Sequence, residues 1–399
     1  MSGPLAGVRV VELGVWVAGP AAGGILADWG ADVVKIEPPA GDPARQFQAM
    51  LGGDVPFNPP FELDNRSKRS IVVDLAAPGG RALALELLGR ADVFLTNIRL
   101  DALERLGLDA PTVHALAPRL VYAVITGYGL AGPERDRAAY DIGAFWARSG
   151  LVGLLTKPGG EPPFQRGGMG DHGAGMTLAA GICAALVARA RTGEGQVVAT
   201  SLLRHGMYTI GFDLNTALRF GQSIGTPTRD TMTNPAINCY RDRDGRWFWL
   251  IGLEGDRHWP DLCRAVGRPE WIDDERFATA RARRSNVREL IPALDTVFAT
   301  RTRDEWGERL DRENMWWAPV QTPEELLGDS QAWAGGGFVE VPDADGTATM
   351  INTPVDFVGT PAAPRAMPPT LGQHTDEVLA ELGRDADAIA ALRADEIVA

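Results

Sequence analysis

Cysteine is scarce in this sequence, with only Cys183, Cys239 and Cys263 among 399 residues. The count is odd, the spacing is wide and no Cys-x-x-Cys pair occurs, which argues against a disulfide framework and against a zinc site. We therefore expect reduced thiols, no metal site and a cytoplasmic protein. Cys183 falls in an apolar stretch, where a free cysteine packs as a small hydrophobic side chain.

Positive charge is also scarce, because 39 Lys and Arg stand against 52 Asp and Glu and give a net charge of −13 at pH 7. Such an excess of negative charge argues against nonspecific binding to nucleic acid or to an anionic membrane. Lysine occurs only at Lys35, Lys68 and Lys157. A phosphate-bearing ligand would therefore need its cationic partners to be concentrated locally.

Long apolar segments are missing as well. No apolar run reaches the ~18 residues that span a bilayer, and the first residues lack the basic and apolar regions of a signal peptide. With 45% hydrophobic and 23% charged residues, the composition is typical of a soluble globular protein. The length suffices for two or three domains.

The richest local pattern is a glycine-rich stretch, Gly167-Gly168-Met169-Gly170-Asp171-His172-Gly173-Ala174-Gly175-Met176, placed before a predicted apolar helix from Met176 to Arg189. Glycines let a backbone approach a ligand closely. A carboxylate at a helix N-terminus lies beside unpaired N–H groups, which makes Asp171 a candidate nucleophile. The alternative is that Asp171 only caps the helix, since Asp is a common N-cap residue.

The N-terminal part reads as a βαβ unit. A buried strand is predicted over Val8–Leu13, then a small-residue helix to Asp28 and a second strand over Val33–Glu37. Neither Gly-x-Gly-x-x-Gly nor Gly-Lys-Ser/Thr occurs, so a dinucleotide fingerprint and a P-loop are both missing. The turn between the first strand and helix remains the natural place for a ligand in such a fold.

The densest basic cluster is Asn65-Arg66-Ser67-Lys68-Arg69-Ser70. It fits a phosphate clamp, because Lys and Arg pair with phosphate through charge-assisted hydrogen bonds. The alternative is a solvated edge of the protein.

Alternating strands and helices continue the α/β pattern and predict a parallel sheet covered by helices on both faces. Helices are expected from Ala138 to about Ser149 and from about Val197 to Phe220. We predict a large domain over residues 1–220, a linker over 221–235, and a small α+β domain over 236–312 with an Asp-Gly hairpin at 243–246. Residues 313–399 form a second linker and return to the large domain.

Six motifs in this order resemble the family III CoA-transferases. They are Leu5–Leu13 with Ala18-Gly19-Pro20, Gly30–Glu37, the cluster at 65–70, the Gly170-Asp171 block, Thr192–Gln196 and Leu371–Thr375. The resemblance implies a Rossmann-like large domain made from both chain ends, an inserted smaller domain and an interlocked homodimer. The family also contains α-methylacyl-CoA racemases.

The resemblance also implies site residues. The family's catalytic aspartate falls on Asp171, and coenzyme A serves as substrate, with no tightly bound cofactor expected. The CoA-contacting positions are Val15, Trp16, Ala18, Lys68, Arg69, Asn97 and Arg105. The substrate pocket is expected to include Tyr140, Asp141, Gly170 and His172. Val15-Trp16-Val17 departs from the polar sequence of some members, so only contacts through the backbone carry over there.

The implied chemistry moves CoA from an acyl-CoA to a carboxylic acid, through a mixed aspartyl anhydride and an aspartyl-CoA thioester. A carboxylate suits this role because the nucleophile must itself become an activated acyl group. One alternative is racemisation, which needs a second base; Tyr140 stands where the racemases have a histidine, and a phenol with a pKa of about 10 is a poor base. The other alternative is a non-catalytic acyl-CoA-binding protein. The lack of an arginine pair near Asp171 gives no reason to expect a dicarboxylate. The lack of a glycine-rich lid of the formyl-CoA transferase type between Gly221 and Asn238 favours a bulkier, less polar acyl group.

Overall fold

The structure, a computed structural model, describes residues 3–50, 57–223, 225, 227–344 and 346–399. The chain forms two compact units, the first from residues 1–156, 160–223 and 333–399 and the second from residues 157–159 and 224–332. The second unit is therefore longer at both ends than the expected small domain, 236–312. Residues 224 and 226 of the expected linker lie outside the described residues.

The first unit is built on a six-stranded parallel sheet with the strand order β3-β2-β1-β4-β5-β6. Its strands are β1 (Arg9–Leu13), β2 (Asp32–Glu37), β3 (Arg69–Val72), β4 (Val93–Thr96), β5 (Val121–Thr126) and β6 (Val197–Ser201). The order reverses between β1 and β4. In such sheets a crevice opens at that point, beyond the carboxyl ends of the strands.

Helices cover both faces of this sheet, as the sequence predicts. They are α1 (Ala18–Asp28), α2 (Phe47–Met50), α3 (Pro59–Asn65), α4 (Pro78–Gly89), α5 (Leu100–Leu106), α6 (Ala110–Leu116), α7 (Leu151–Leu155), α8 (Met169–Thr192), α9 (Leu202–Thr209), α10 (Gly211–Phe220), α17 (Thr375–Glu381) and α18 (Ala386–Ala394). A hairpin of β10 (Phe338–Asp343) and β11 (Gly346–Ile351) completes the first unit.

The alternation of side chains along β1 gives the sheet two cores. Val11 and Leu13 belong to a core shared with α4, α17 and α18, whereas Val10 belongs to the opposite core, shared with α1 and α8. Burial on both faces explains why apolar side chains occur at the consecutive positions Val10 and Val11 instead of alternating with polar ones. Glu12 lies on the same face as Val10 and is completely buried, which requires charged partners.

Helix α8 begins seven residues earlier than the sequence predicts, at Met169 instead of Met176. Glycine lowers helix propensity, and the prediction therefore read the glycines as a loop. In the structure they allow close packing inside the helix: a Cβ at Gly175 would lie 3.0 Å from the Cβ of Ala21 on α1. Asp171 is consequently the third residue of α8, and Gly168 is the N-cap, with φ 76°.

Two other predicted helices are wrong in part. Val197–Ser201 is the edge strand β6, paired with β5, and the helices start only at Leu202. The β-branched residues Val197, Val198 and Thr200 favour a strand, and the Ser201 hydroxyl caps α9 by accepting from the Arg204 amide at 3.1 Å. The helix expected over 138–149 is a π-helical turn confined to Ile142–Ala147.

The second unit is α+β. Its three-stranded antiparallel sheet contains β7 (Ile237–Arg241), β8 (Trp247–Ile251) and β9 (Trp317–Pro319), and β7 and β8 are joined by the predicted Asp-Gly hairpin. Its helices are α11 (Gly255–Ala265), α12 (Ala280–Ser285), α13 (Val287–Phe298), α14 (Arg303–Arg312) and α15 (Pro323–Leu327); α16 (Ser330–Ala334) contains the boundary at residue 332. Its core is rich in aromatic side chains, including Trp259, Phe298 and Trp306.

Among the described residues, α8 alone is long and apolar enough to cross a membrane by length and composition, with a mean hydropathy of 1.5. The expectation that no apolar segment reaches this length therefore missed it. Its apolar side chains, such as Leu178 and Ile182, are buried against the sheet and α1. A central core helix of this kind passes the same test without lying in a bilayer.

Candidate active site

A cleft of about 480 Å³ opens where the strand order of the parallel sheet reverses. Segments that follow β1, β4, β5 and β6 line it. The lining residues are Val15–Ala18, Asn97–Arg99, Ala102, Ile125–Gly127, Ala138–Asp141, Asp171 and Leu202. The cleft thus brings together Val15, Trp16, Ala18, Asn97, Tyr140, Asp141 and Asp171 from the residues that the sequence analysis proposed.

The loop between β1 and α1 forms one wall of this cleft. The Asn97 side chain holds it through both of its polar atoms: Oδ1 accepts from the Val15 amide at 3.0 Å and Nδ2 donates to the Val15 carbonyl at 2.8 Å. A Cβ at Gly19 would lie 2.9 Å from Asn97 Oδ1. Asn97 therefore acts through the backbone of the loop, and glycine at position 19 leaves space for it.

Asp171 presents its carboxyl at the cleft from the first turn of α8. The helix has no side-chain cap, and among the described residues no hydrogen bond reaches the Asp171 carboxyl. This rules against the capping alternative, because a capping carboxylate accepts from the first-turn amides. Burial, followed by the neighbouring Asp141 carboxylate, raises the pKa of Asp171 to about 7, although His172 opposes the shift.

Asp141 is the buried carboxylate next to Asp171. Its Oδ2 accepts from the Gly170 amide at 3.1 Å, while its Oδ1 is buried without a hydrogen-bond partner. A Cβ on Gly170 would collide with Asp141 and with the ring of Phe145. Gly170 is thus required for the close approach of Asp141 to the start of α8, and it supports the cleft without lining it.

His172 follows Asp171 but is absent from the residues that line the cleft. Its Nε2 lies 3.1 Å from Oδ1 of Asp64, which is buried at the end of α3. The hydrogen bond to Asp64 raises the pKa of His172, although burial opposes the shift. The Asp64 carboxylate therefore favours the protonated form of the imidazole, which lies beside Asp171 but lines a separate pocket.

The aromatic side chains of Trp16 and Tyr140 line the cleft, and Phe47, which does not line it, packs against Trp16. The Trp16 ring lies 6.1 Å from that of Tyr140 in an edge-to-face arrangement and 5.5 Å from that of Phe47. Tyr140 is 66% exposed. Edge-to-face pairs of this kind are favourable beyond the area that they bury, so the three rings form a cohesive apolar surface.

Lys68 and Arg69 do not lie among the cleft residues. The Lys68 ammonium is buried and pairs with Glu12 at 2.7 Å, and Arg69 pairs with Asp32 and Glu381, both at 2.7 Å. Their charges are therefore already compensated by carboxylates, and neither group is free for the phosphate that the sequence analysis assigned to them.

Two arginines are better placed to bind a phosphate: Arg99, directly before α5, and Arg105, in the last turn of α5. Arg99 is the one cationic side chain among the described residues that line the cleft. Arg105 lies one turn beyond Ala102, a lining residue, and is 65% exposed although it pairs with Asp101 at 2.9 Å. Arg105 is thus near the mouth of the cleft, while Arg99, inside it, was not selected from the sequence.

Sequence reasoning also missed that Lys68 belongs to a buried group of four charges behind the β1–α1 loop, with Glu12, Lys35 and Asp42. Lys35 pairs with Glu12 and with Asp42, each at 2.9 Å, and Lys68 pairs with Glu12. Burial would lower the pKa of Lys35, but Glu12 and Asp42 raise it. The signal in the sequence was a charged residue inside each of two apolar strands, Glu12 in β1 and Lys35 in β2.

Comparison with known proteins places this architecture in a family. A family model described as "CoA-transferase family III" matches residues 5–375. A CAIB/BAIF family protein from Brucella suis has a similar structure, with a TM-score of 0.84, 31% identity and coverage of 96% of this chain and 100% of that one. The shared fold therefore extends over nearly the whole molecule.

Two curated relatives carry named activities. An (R)-2-hydroxy-4-methylpentanoate CoA-transferase from Clostridioides difficile is 34% identical and covers 99% of this chain and 99% of its own length. A cinnamoyl-CoA:phenyllactate CoA-transferase from Clostridium sporogenes is 35% identical and covers 98% of this chain and 96% of its own. The chain therefore belongs to the family III CoA-transferases, enzymes that act on acyl-CoA thioesters and carboxylic acids.

Proposed function

We propose that this enzyme transfers CoA from an acyl-CoA to a carboxylic acid through covalent intermediates on Asp171. The Asp171 carboxylate attacks the thioester carbonyl, giving a mixed anhydride and the CoA thiolate. The thiolate then attacks the aspartyl carbonyl, which releases the donor acid and leaves an aspartyl-CoA thioester. The acceptor carboxylate attacks this thioester, which gives a second mixed anhydride and releases the CoA thiolate. The thiolate then attacks the acceptor acyl carbonyl of that anhydride, which forms the new acyl-CoA and regenerates the Asp171 carboxylate.

The observation that carries the proposal is the unpaired carboxyl of Asp171 at the cleft. A capping or ion-paired carboxylate would have to break its bonds before attacking a thioester, whereas this one has no such partner in the described part of the chain. The raised pKa of about 7 makes its ionised form more basic than an ordinary aspartate. Greater basicity favours nucleophilic attack.

The start of α8 supplies groups that suit the negative charge formed in each step. The amide of Gly170 is occupied by Asp141, but the amides of Met169 and Asp171 belong to the first turn, where no intrahelical acceptor exists. Amides at a helix N-terminus stabilise an adjacent oxyanion. We assign them to the tetrahedral intermediates on either side of the aspartyl carbonyl.

We place CoA along the β1–α1 loop and the segment after β4. The loop backbone at Val15 and Trp16, held by Asn97, provides contacts that do not depend on the side chains. Arg99 and Arg105 supply positive charge for the phosphates. This assignment replaces the predicted clamp of Lys68 and Arg69, whose charges are paired with carboxylates.

The wall of Trp16, Tyr140 and Phe47 favours a bulky acyl group of low polarity, aromatic or branched. Such a group would bury apolar surface against the rings. The names of the two relatives, which mention 2-hydroxy-4-methylpentanoate, cinnamoyl-CoA and phenyllactate, are consistent with this class of substrate.

We also propose that the enzyme is a homodimer. The face of α9 and α10 exposes Tyr208, Phe212, Leu218 and Phe220, which are 76–87% exposed. Apolar surface of this extent on adjacent helices marks an interaction site. Sedimentation at low concentration should show a dimer that separates only on unfolding; a folded monomer would contradict this.

The covalent mechanism is tested by trapping. Incubation of the enzyme with an acyl-CoA and hydroxylamine should convert the activated carboxyl of Asp171 into a hydroxamate, detected by the mass of its peptide. The control is Asp387, another first-turn acid on α18, whose peptide should remain unmodified. Turnover without modification of the Asp171 peptide would exclude the covalent mechanism.

A further inference from the structure

The backbone of the β1–α1 loop is held by side chains that are themselves buried. Lys35 Nζ donates to the Gly14 carbonyl at 2.8 Å, and Lys68 Nζ donates to the Pro20 carbonyl at 2.9 Å. Gly14, where the loop begins, and Pro20, in the first turn of α1, are therefore fixed by ammonium groups that are buried in the protein interior. A buried ammonium group that lost its carbonyl partner would have no water to replace it, so these hydrogen bonds restrict the backbone to one conformation.

The centre of the loop is held by Asp42. The Trp16 amide donates to Asp42 Oδ1 at 3.0 Å, and Trp16 has φ 64°, a left-handed conformation. A bulky residue in this region is strained, and such strain persists only where surrounding structure enforces it. The bond to Asp42 is thus one of the contacts that hold Trp16 in this conformation.

The same oxygen of Asp42 orders a second aromatic residue. Asp42 Oδ1 also accepts from the Ala44 amide at 2.9 Å, which caps the short 3₁₀ turn Pro43–Gln46 directly before Phe47. One carboxylate oxygen thus ties together the segments that carry Trp16 and Phe47. The rings of these two residues are in contact, with 5.5 Å between their centroids.

A neutral group of charges keeps this carboxylate in place. Asp42 Oδ2 pairs with Lys35, Lys35 and Lys68 both pair with Glu12, and all four side chains are buried. Two ammonium groups and two carboxylates cancel, so the arrangement tolerates burial only while each member keeps its partners. The conformation of the loop is therefore coupled to the sheet behind it.

We propose that Asp42 is a positioning residue that determines the acyl-group preference of the cleft, because it fixes the backbone of Trp16 and of the turn before Phe47. The inference rests on the proposed chemistry at Asp171, since it concerns the acyl group presented to that carboxyl. Asp42 itself is absent from the residues that line the cleft. It acts through the Trp16 ring, which does line it.

The test compares the rates at which cinnamoyl-CoA and butyryl-CoA, each below saturation, form the hydroxamate of Asp171. This reaction needs no acceptor acid, and the ratio of the two rates reports acyl preference independently of the amount of folded enzyme. Asp42→Ala should lower the cinnamoyl-to-butyryl ratio by about tenfold or more, the scale of a lost apolar contact in a binding pocket. Asp42→Asn keeps the oxygen that accepts from the Trp16 and Ala44 amides but loses the ion pair with Lys35, so the enzyme should be less stable while the ratio stays close to that of the wild type.

A second variant at position 42 distinguishes the proposed effect on acyl preference from a loss of folding. Asp42→Ser keeps an oxygen that caps the turn at Ala44 but is too short to reach the Trp16 amide as well, so it should lower the ratio in the same direction. Asp109→Ala, which removes the N-cap of α6 away from the cleft, is the matched control and should leave the ratio unchanged.

A double-mutant cycle shows whether Asp42 acts through Trp16. In the Trp16→Ala background, Asp42→Ala should change the ratio no further, because residues that act in series are not additive. An unchanged ratio in Asp42→Ser, equal losses for both donors, or a full effect of Asp42→Ala in the Trp16→Ala background would each overturn the proposal. Absence of any Asp171 hydroxamate in the wild type would instead refute the proposed function.

Discussion

The two segments that meet at the cleft differ in how their polar groups are satisfied. The β1–α1 loop is held at Gly14 and Trp16 by buried side chains and at Val15 by Asn97, and buried Lys68 holds Pro20 in the first turn of α1. The carboxyl of Asp171, across the cleft, has no hydrogen-bond partner among the described residues and lies beside another carboxylate. The wall that we propose to shape the substrate is fixed by several hydrogen bonds, whereas the group that we propose to react is left unpaired. This division is expected where one segment positions and the other performs chemistry.

The largest effect is expected when the unpaired carboxylate of Asp171 is removed. Asp171→Asn keeps the shape of the side chain but cannot form an anhydride, and CoA transfer should fall by several orders of magnitude, as when a covalent catalyst is deleted. Binding of CoA, measured by calorimetry, should persist. Asp387→Asn, the matched first-turn variant on α18, should keep full activity. Substantial transfer by Asp171→Asn would assign the chemistry elsewhere.

The next largest effect concerns pH. Attack requires the ionised carboxylate, and the pKa of Asp171 is raised to about 7. The value of kcat/KM should therefore fall about tenfold for each pH unit below 7 and level off above it. Asp141→Asn keeps an acceptor for the Gly170 amide but removes a carboxylate that raises this pKa, so the profile should move to lower pH. A profile that is flat between pH 5 and pH 8 would contradict the assignment.

A smaller effect is expected on CoA affinity, which should respond to loss of the accessible Arg99 but not to loss of the buried Lys68. Arg99→Ala should weaken CoA binding by up to about tenfold at low salt and flatten its salt dependence, because an ion pair with phosphate is lost. Lys68→Met should leave the salt dependence unchanged and lower the thermal midpoint, since Glu12 loses one of its two buried partners. Titrations with CoA at several salt concentrations measure both effects. If Lys68→Met flattened the salt dependence and Arg99→Ala did not, Lys68 would be the residue that binds the phosphate.

The smallest effect is on stability. A native pKa of Asp171 near 7, above the unfolded value of about 3.8, means that the native state binds more protons between these values. The contribution of Asp171 to stability should therefore fall as pH rises from about 4 to 7. Asp171→Asn does not titrate, so its midpoint should exceed that of the wild type by about 1–3 °C above pH 7 and by less at pH 5. An equal difference at both pH values would contradict the raised pKa.

Much of the fold could be predicted because its signals are local. Alternating β-branched strands and amphipathic helices indicate the parallel sheet, and Asp244-Gly245 indicates the hairpin of the second unit. The start of α8 was misplaced because glycine has the same low helix propensity whether it lies in a loop or in a tightly packed helix. Only the position of α1 beneath Gly175 distinguishes the two cases.

The cleft was predictable to a similar extent. That Asp171, Asn97 and the β1–α1 loop lie together there follows from the motif order and from the switch point of the sheet, whereas their roles stay predictions. The environment of Lys68 could not be predicted, because the local sequence around a lysine in a basic cluster is the same whether the side chain faces a ligand or a buried Glu12. Its partner comes from a strand distant in the chain, and Asp42 is likewise linked to Trp16 only after folding.

The buried ammonium groups have a practical consequence. Lysine occurs at only three positions; Lys35 and Lys68 are inaccessible in the folded protein, whereas Lys157 is exposed. An amine-reactive reagent should therefore modify Lys157 rapidly and the other two only when the region around the β1–α1 loop opens. The extent of lysine labelling, followed by peptide mass, becomes a direct measure of how often that wall of the cleft comes apart.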